Sequence, residues 1–239
     1  MGIISVEHID RLYWLGRYAE RVYTTVGLFA EHYDSALDSG LNDYDKFCER
    51  LDIPNIYQSE ADFCERYCFD ENDPNSIYSN LMRAYDNAVV MREEIGSDAL
   101  SYIQLAVYAM QKAKVSTAPL VELQAVIDNI LAFWGITDDW IEDEETRNII
   151  KVGKRVERVD LYGRLHMERS YLLREVHRLT GRIKRTSLNY NEEILKRINA
   201  YAMEVTIPYW SIVQEVENLI EWEAADERVT VYLFHADII

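Results

Sequence analysis

Residues 12–21 read LYWLGRYAER, and residues 149–158 read IIKVGKRVER. Both stretches place a glycine four residues before a Glu-Arg pair, and a valine follows each pair. The two glycines, Gly16 and Gly153, are 137 residues apart. This shared spacing indicates that one helix has been used twice in the chain.

Apolar side chains mark one face of the first stretch as a packed helix. They recur at alternating steps of three and four residues, which is the pattern of a core-facing helix surface. The 239 residues include only 4 Pro and 9 Gly, which favours long helices over many short strands. We therefore predict an all-α fold, a multi-helix bundle with two related long signature helices that form an internal pseudo-repeat. The apolar positions are Leu12, Leu15, Ala19, Val22, Val26 and Phe29.

The predicted bundle forms a single domain over residues 1–239. The first signature helix should end at Gly40, because glycine is the usual residue just beyond a helix C-terminus. The second should run from about Asp138 to Thr180. Residues 228–239 are rich in β-branched and aromatic side chains, which favours an extended tail. This tail would either pack on the bundle or dock on a partner.

The glycines in the two signature helices call for a structural reason. Glycine inside a helix costs about 1 kcal/mol relative to alanine, and close approach of another backbone would compensate for that cost. Glu20 and Glu157 lie one turn beyond Gly16 and Gly153, so they would point into the same crowded contact. A carboxylate in such a place has to be paired or hydrogen-bonded.

Two interpretations of these glutamates follow. One is a structural network of salt bridges between the signature helices. The other is a polar site at the centre of the bundle, where both carboxylates face one ligand or ion. The candidate residues of this central polar site are Glu20, Arg21, Arg17, Glu157, Arg158, Lys154, Asp160 and Asn87.

The two motifs also resemble a known family. Residues 12–21 and 153–160, together with the central segment 83–93, resemble the signatures of the bacterial alpha-E domain family. The chain departs from the family pattern at Tyr23, where an acid is expected, and at Val89, where an arginine is expected. The resemblance implies a helical protein that accompanies ATP-grasp ligase-like and transglutaminase-like proteins in peptide or amide-bond systems.

The composition limits which cellular compartment and which partners are expected. A net charge of −17 excludes free nucleic acid as the partner of the chain as a whole. The 3 cysteines are an odd number, and we detect neither a signal peptide nor an apolar run of membrane length. We therefore predict a cytoplasmic protein with free thiols and no membrane association.

One stretch reverses the overall charge. Residues 151–185 contain eleven Lys or Arg and four Asp or Glu, so their net charge is +7. Arg174, Arg178 and Arg182 recur at helical spacing. They could form a solvated helix face paired with the acidic remainder of the chain. Alternatively, they form a site for an anion or an acidic partner surface, since arginine suits carboxylate and phosphate contacts.

The sequence predicts neither a metal nor a cofactor. No Glu-x-x-His pair of the ferritin-like type occurs, and no Gly-rich phosphate loop or nucleophile elbow is present. Cys48, Cys64 and Cys68 lack a paired Cys-x-x-Cys motif, so we interpret them as small apolar residues. Residues 138–142 (DDWIE) approximate a magnesium-binding motif, but acids are favoured at a helix start in any case.

The preferred functional hypothesis is an accessory or scaffold protein. It would bind a protein or peptide partner, of the ATP-grasp or transglutaminase-like type, in an amide-forming system, and an oligomer is possible. The alternative is an enzyme or ligase subunit whose central Glu/Arg site acts on a small anionic or peptide substrate. Burial distinguishes the two, because a catalytic carboxylate would line an open pocket, whereas a structural one would be closed in an ion pair.

Overall fold

A computed structural model describes residues 6–40 and 43–222. This part of the chain contains ten helices and no strand, which confirms the all-α prediction. An isolated antiparallel bridge joins Tyr190 and Ile220. The helices are α1 (Val6–Ser39), α2 (Tyr44–Leu51), α3 (Glu60–Phe69), α4 (Ile77–Val90), α5 (Arg92–Val115), α6 (Pro119–Asp139), α7 (Glu144–Arg164), α8 (Arg169–Ile183), α9 (Glu192–Met203) and α10 (Tyr209–Glu217).

The two signature helices, α1 and α7, pack against each other at the centre of the bundle. The predicted apolar stripe of α1 is buried along its length, from Leu12 to Phe29. Val152, Val156 and Val159 of α7 are fully buried as well. Removal of these apolar side chains from water stabilises the helix pair by roughly 25 cal/mol for each Å² of apolar surface buried.

The other helices surround this pair. α4 and α6 pack on α1, α5 pairs with α4 and α6, and α8 and α10 pack on α7, with α9 bridging them. The short helices α2 and α3 are joined to α1 by aromatic rings. Phe29 of α1 lies tilted against Phe63 and Tyr67 of α3, which stack on each other. Phe47 of α2 meets Phe63 and Tyr67 edge-to-face.

The second signature helix is shorter than the sequence predicts. It ends at Arg164 rather than near Thr180, because His166 has a φ of 49° and turns the chain. The amide of His166 donates to Gly163 O, and the amide of Met167 donates to Tyr162 O, which is the pattern of a Schellman cap. The predicted arginine row therefore lies on a separate helix, α8.

Helix α6 differs from the expectation that no apolar run reaches membrane length. Among the described helices, α6 alone has the length and the apolar composition needed to cross a membrane. Of its most apolar 18 residues, 33% are buried inside the protein. It packs along α5 and against α1. The predicted tail at 228–239 lies outside the described residues.

Candidate functional site

Gly16 and Gly153 form the contact point between α1 and α7. A Cβ atom placed on Gly16 would lie 2.0 Å from the carbonyl oxygen of Ile150. A Cβ atom on Gly153 would lie 2.0 Å from the carbonyl oxygen of Tyr13. Both distances are far below van der Waals contact, so only glycine fits at either position. The predicted close approach of two backbones is therefore confirmed.

Glu157 of α7 is held by two arginines of α1. The Nε atom of Arg17 lies 2.7 Å from one carboxylate oxygen of Glu157, and the Nε atom of Arg21 lies 2.5 Å from the other. The Glu157 side chain is completely buried. Burial by itself would raise the pKa of Glu157, but Arg21 and Arg17 outweigh it and hold this pKa below its ordinary value.

Glu20 of α1 is held in the corresponding way by α7. Arg158 contacts one Glu20 oxygen through its Nε and Nη2 atoms, at 2.6 and 2.5 Å. The second oxygen lies 3.8 Å from Lys154 Nζ and has no hydrogen-bond partner among the described residues. Burial therefore raises the pKa of Glu20, since Arg158 and the more distant Lys154 offset it only in part.

Each of these contacts has a counterpart displaced by 137 residues. Gly16 meets Ile150 and Lys154, whereas Gly153 meets Tyr13 and Arg17. Glu157 is paired with Arg17 and Arg21, whereas Glu20 is paired with Lys154 and Arg158. The two helices thus cross with local two-fold pseudosymmetry. We call Arg17, Glu20, Arg21, Lys154, Glu157 and Arg158 the central network.

Lys154 occupies the position that corresponds to Arg17, but its surroundings differ. Its ammonium group lies 3.9 Å from the centroid of the buried Trp134 ring, where it forms a cation–π contact. Burial lowers the pKa of Lys154 to about 7, and the attraction of Glu20 only partly offsets this effect. Lys154 therefore differs from its counterpart Arg17 in having a pKa near neutrality.

Replacement of Lys154 by methionine should change how stability depends on pH. In the wild type, the unfolded state carries the Lys154 proton up to its ordinary pKa of 10.5, whereas the folded state loses it near 7. The free energy of unfolding should then rise with pH in this window, by at most about 1.4 kcal/mol per pH unit. Urea denaturation at pH 7 and pH 9 should show this rise in the wild type and a clear reduction of it in Lys154→Met.

Lys196→Met is the matched control, because Lys196 lies on the surface and pairs only with Glu193. Its pH dependence should equal that of the wild type. Equal slopes for Lys154→Met and the wild type would show that Lys154 does not lose its proton in this range.

Two further predicted residues lie beside the central network rather than in it. Asp160 is buried and accepts two hydrogen bonds of 3.2 Å from Arg164 Nε. Asn87 lies half-buried on α4, and no hydrogen bond of the central network involves its side chain. The structure thus does not bring Asn87 into the network.

A second charged group adjoins the network at α8. The carboxylate of Glu175 is fully buried, and it lies 2.6 Å from Arg155 Nη1 and 2.7 Å from Arg178 Nη1. Arg174 and Arg158 approach it to 3.5 and 4.0 Å. We call these four arginines with Glu175 the arginine cluster. The arginines outweigh burial and hold the pKa of Glu175 below its ordinary value.

The three arginines predicted to bind an anion differ in exposure and in their hydrogen bonds. The side chains of Arg174 and Arg178 are each 49% exposed. Arg182 is half-buried and donates a 2.7 Å hydrogen bond to Asn148 Oδ1. Only the first two therefore present a substantial part of their side chain to solvent.

Sequence reasoning missed Glu175, Arg155 and Arg164. Glu175 is the one acid between Arg174 and Arg178. A single acid inside a row of arginines could have been used to predict an ion-pair cluster there. Arg155 carried no comparable signal, because its acidic partner Glu175 comes from another helix. Arg164 carried a local one, since Asp160 lies four residues earlier on the same helix, but its partners Asp52 and Glu217 come from elsewhere in the chain.

The two glutamates of the central network are closed off from solvent. Glu20 and Glu157 are 0% exposed, and each is closed by charged partners from the opposite helix. Burial raises the pKa of Cys48 to about 11 and that of Cys64 to about 12, so these thiols are poor nucleophiles at neutral pH. Within residues 6–40 and 43–222, no group of three or more His, Cys, Asp or Glu is arranged to hold a metal ion.

One comparison with known proteins gives a match. Residues 7–203 match the model of the Alpha-E family, described as a predicted alpha-helical domain with a conserved ER motif. Glu20-Arg21 and Glu157-Arg158, the pairs of the central network, are two of the Glu-Arg dipeptides in this chain. No curated protein and no solved structure shows a significant match to the chain.

Proposed function

This chain belongs to the Alpha-E family, and from that premise we propose that it is an accessory protein that binds an acidic partner surface through the exposed arginines of α8. The central network would serve as the structural clamp that holds α7, and hence α8, in place. In this proposal the chain has no catalytic activity of its own.

The arginine cluster is the observation that carries the binding role. Four arginines share one buried carboxylate, Glu175, although Arg158 also neutralises Glu20. Positive charge is therefore in excess at this place, in a chain whose net charge is −17. The side chains of Arg174 and Arg178 are exposed at the surface, so this excess positive charge is accessible there. A partner's carboxylates or phosphates could form charge-assisted hydrogen bonds with them.

Glu20 and Glu157 are both closed to solvent and to substrates, which supports the accessory role over the enzymatic alternative. A general acid or base has to come within hydrogen-bond distance of its substrate. Glu20 and Glu157 have no exposed surface, and their oxygens face arginine and lysine side chains. A substrate would have to break these ion pairs before it could reach either carboxylate.

The class of partner in this proposal comes from the family resemblance. It is an ATP-grasp-type or transglutaminase-like protein of a peptide or amide-bond-forming system, encountered in the cytoplasm. The described cysteines are all free thiols, which fits a reducing compartment.

Neutralisation of Arg174 and Arg178 tests the proposal. We expect the double variant Arg174→Gln/Arg178→Gln to bind purified ATP-grasp-type and transglutaminase-like proteins from neighbouring genes at least about tenfold more weakly than the wild type. Its melting temperature should change little, since Arg155 and Arg158 still hold Glu175. Biolayer interferometry at several salt concentrations would measure this, and salt should weaken the wild-type complex because exposed charges are screened within about 8 Å.

Lys112→Gln/Lys114→Gln is the matched control, because it removes the same number of charges from the exposed end of α5. It should bind like the wild type. A complex that is insensitive to salt and equally strong for both double variants would leave α8 with a purely structural role.

A further inference from the structure

A small cavity lies beside the central network, between α1, the end of α2, α7 and α10. Its volume is about 140 Å³, and six charged residues line it: Arg17, Arg21, Asp52, Asp160, Arg164 and Glu217. We infer that this cavity binds a small free α-amino acid in its zwitterionic form. This inference goes beyond the proposed partner-binding role and does not depend on it.

The end of the cavity formed by α1 has an excess of positive charge. Arg17 and Arg21 share a single carboxylate, Glu157, and each donates one Nε–H group to it. A guanidinium group has five N–H donors in a planar fork, so both arginines retain donors beyond this bond. A ligand carboxylate is the group that such paired guanidinium forks bind best.

The end of the cavity formed by α7, α10 and the end of α2 has an excess of negative charge. Arg164 is the cation in direct contact with three carboxylates there: Asp160 at 3.2 Å, Asp52 at 3.1 Å and Glu217 at 2.5 Å. Arg17 acts on Asp160 and Glu217 only from further away. Burial, and then Glu157, raises the pKa of Asp160, while burial, and then Asp160, raises the pKa of Glu217. An ammonium group placed here would supply the missing positive charge.

The cavity is also built from side chains that the protein holds in place. Arg17 is 8% exposed and Asp160 is 2% exposed, although both line the cavity. Each is held by an ion pair, Arg17 by Glu157 and Asp160 by Arg164, as buried charges require. Arg17 lies on α1 and Asp160 on α7, the two central helices of the bundle.

The volume of the cavity suits a small ligand. In another protein, an engineered cavity of about 150 Å³ holds benzene, which has six non-hydrogen atoms. The cavity of about 140 Å³ described here is comparable. L-Alanine also has six non-hydrogen atoms, and it carries the carboxylate and the ammonium group on one carbon. Glycine, L-alanine and L-serine are therefore the amino acids that fit best.

Calorimetric titration with L-alanine and two truncated analogues tests the inference. Propionate keeps the carboxylate and lacks the ammonium group, whereas ethylamine keeps the ammonium group and lacks the carboxylate. We expect L-alanine to bind with a dissociation constant in the millimolar range or tighter. Each analogue should bind at least about tenfold more weakly, because each loses one charge-assisted contact.

The double variant Asp52→Asn/Glu217→Gln removes negative charge from the ammonium end without touching the central network. Both side chains are largely exposed, at 64% and 47%, so the melting temperature should stay near that of the wild type. L-Alanine should bind this variant as weakly as propionate does, while the affinity for propionate itself should not fall.

Glu215→Gln is the control. Glu215 lies on α10, as Glu217 does, but it pairs with Arg197 and does not line the cavity. It should bind L-alanine like the wild type. Three results would overturn the inference: no heat or chemical-shift change with glycine, L-alanine or L-serine; equal affinities for L-alanine and its analogues; or unchanged L-alanine binding in the double variant.

Discussion

Replacement of Gly16 by alanine is expected to destabilise the protein by about 3 kcal/mol or more, at or above the upper end of the usual range for overpacked sites. The added methyl carbon would lie 2.0 Å from the carbonyl oxygen of Ile150. That oxygen belongs to the backbone of α7, so no side-chain rotation can relieve the clash. The helices would have to separate, and the ion pairs beyond the contact would lengthen. Urea denaturation followed by circular dichroism would measure the loss.

Gly27→Ala provides the control within the same helix. A Cβ atom at Gly27 meets nothing within 4 Å, so alanine there should stabilise the protein by roughly 0.5–1 kcal/mol through its better helix propensity. Gly153→Ala should behave like Gly16→Ala, since it meets Tyr13 O at the same 2.0 Å. If Gly16→Ala and Gly27→Ala had the same stability, the tight backbone contact would be refuted.

Glu157→Ala is the second substitution with a large expected effect. It leaves Arg17 and Arg21 without their shared carboxylate, and Arg17 is almost fully buried. Removal of one partner from a buried ion pair costs about 3–5 kcal/mol. Because the folded pKa of Glu157 is below the unfolded value of 4.5, this contribution is complete at neutral pH and declines as the pH falls through the folded pKa. Thermal and urea denaturation at pH 7 should show the full loss.

Glu157→Gln should be milder, since the amide oxygen keeps the shape and still accepts one of the two Nε–H groups. Glu193→Ala serves as a surface control, because its pair with Lys196 is exposed, and the unfolding curve should not move. A Glu157→Ala protein as stable as Glu193→Ala would mean that the central network does not stabilise the fold.

The helix crossing could be predicted because its determinants are local in sequence. Glycine inside a helix is costly enough to require a reason, and a glutamate one turn further on shares the same helix face. Those two facts, together with the repeat at an offset of 137, were sufficient to expect that α1 and α7 meet at Gly16 and Gly153. The all-α class followed from the apolar stripe and from the scarcity of Pro and Gly.

The remaining features depend on contacts that the sequence does not encode locally. The end of α7 is a Schellman cap with a histidine, His166, in the position that glycine usually takes, so no breaker residue marked it. Asn87 was assigned to the central site from a family motif, but none of the hydrogen bonds described for the network involves its side chain. The cavity depends on Asp52 and Glu217, which come from the end of α2 and from α10 and adjoin α7 only in the folded protein.

The pseudosymmetry of the crossing has a consequence for the two proposed binding regions. A two-fold contact within one chain resembles the isologous interface of a homodimer, in which both halves start with the same surface. Arg17 and Arg21 line the cavity, whereas their counterparts Lys154 and Arg158 adjoin Trp134 and the arginine cluster. Asp160 lines the cavity too, and its counterpart is Tyr23. Arg158 is the counterpart of Arg21 and belongs to the arginine cluster, so the same repeated position lines the cavity in one half of the chain and approaches Glu175 in the other.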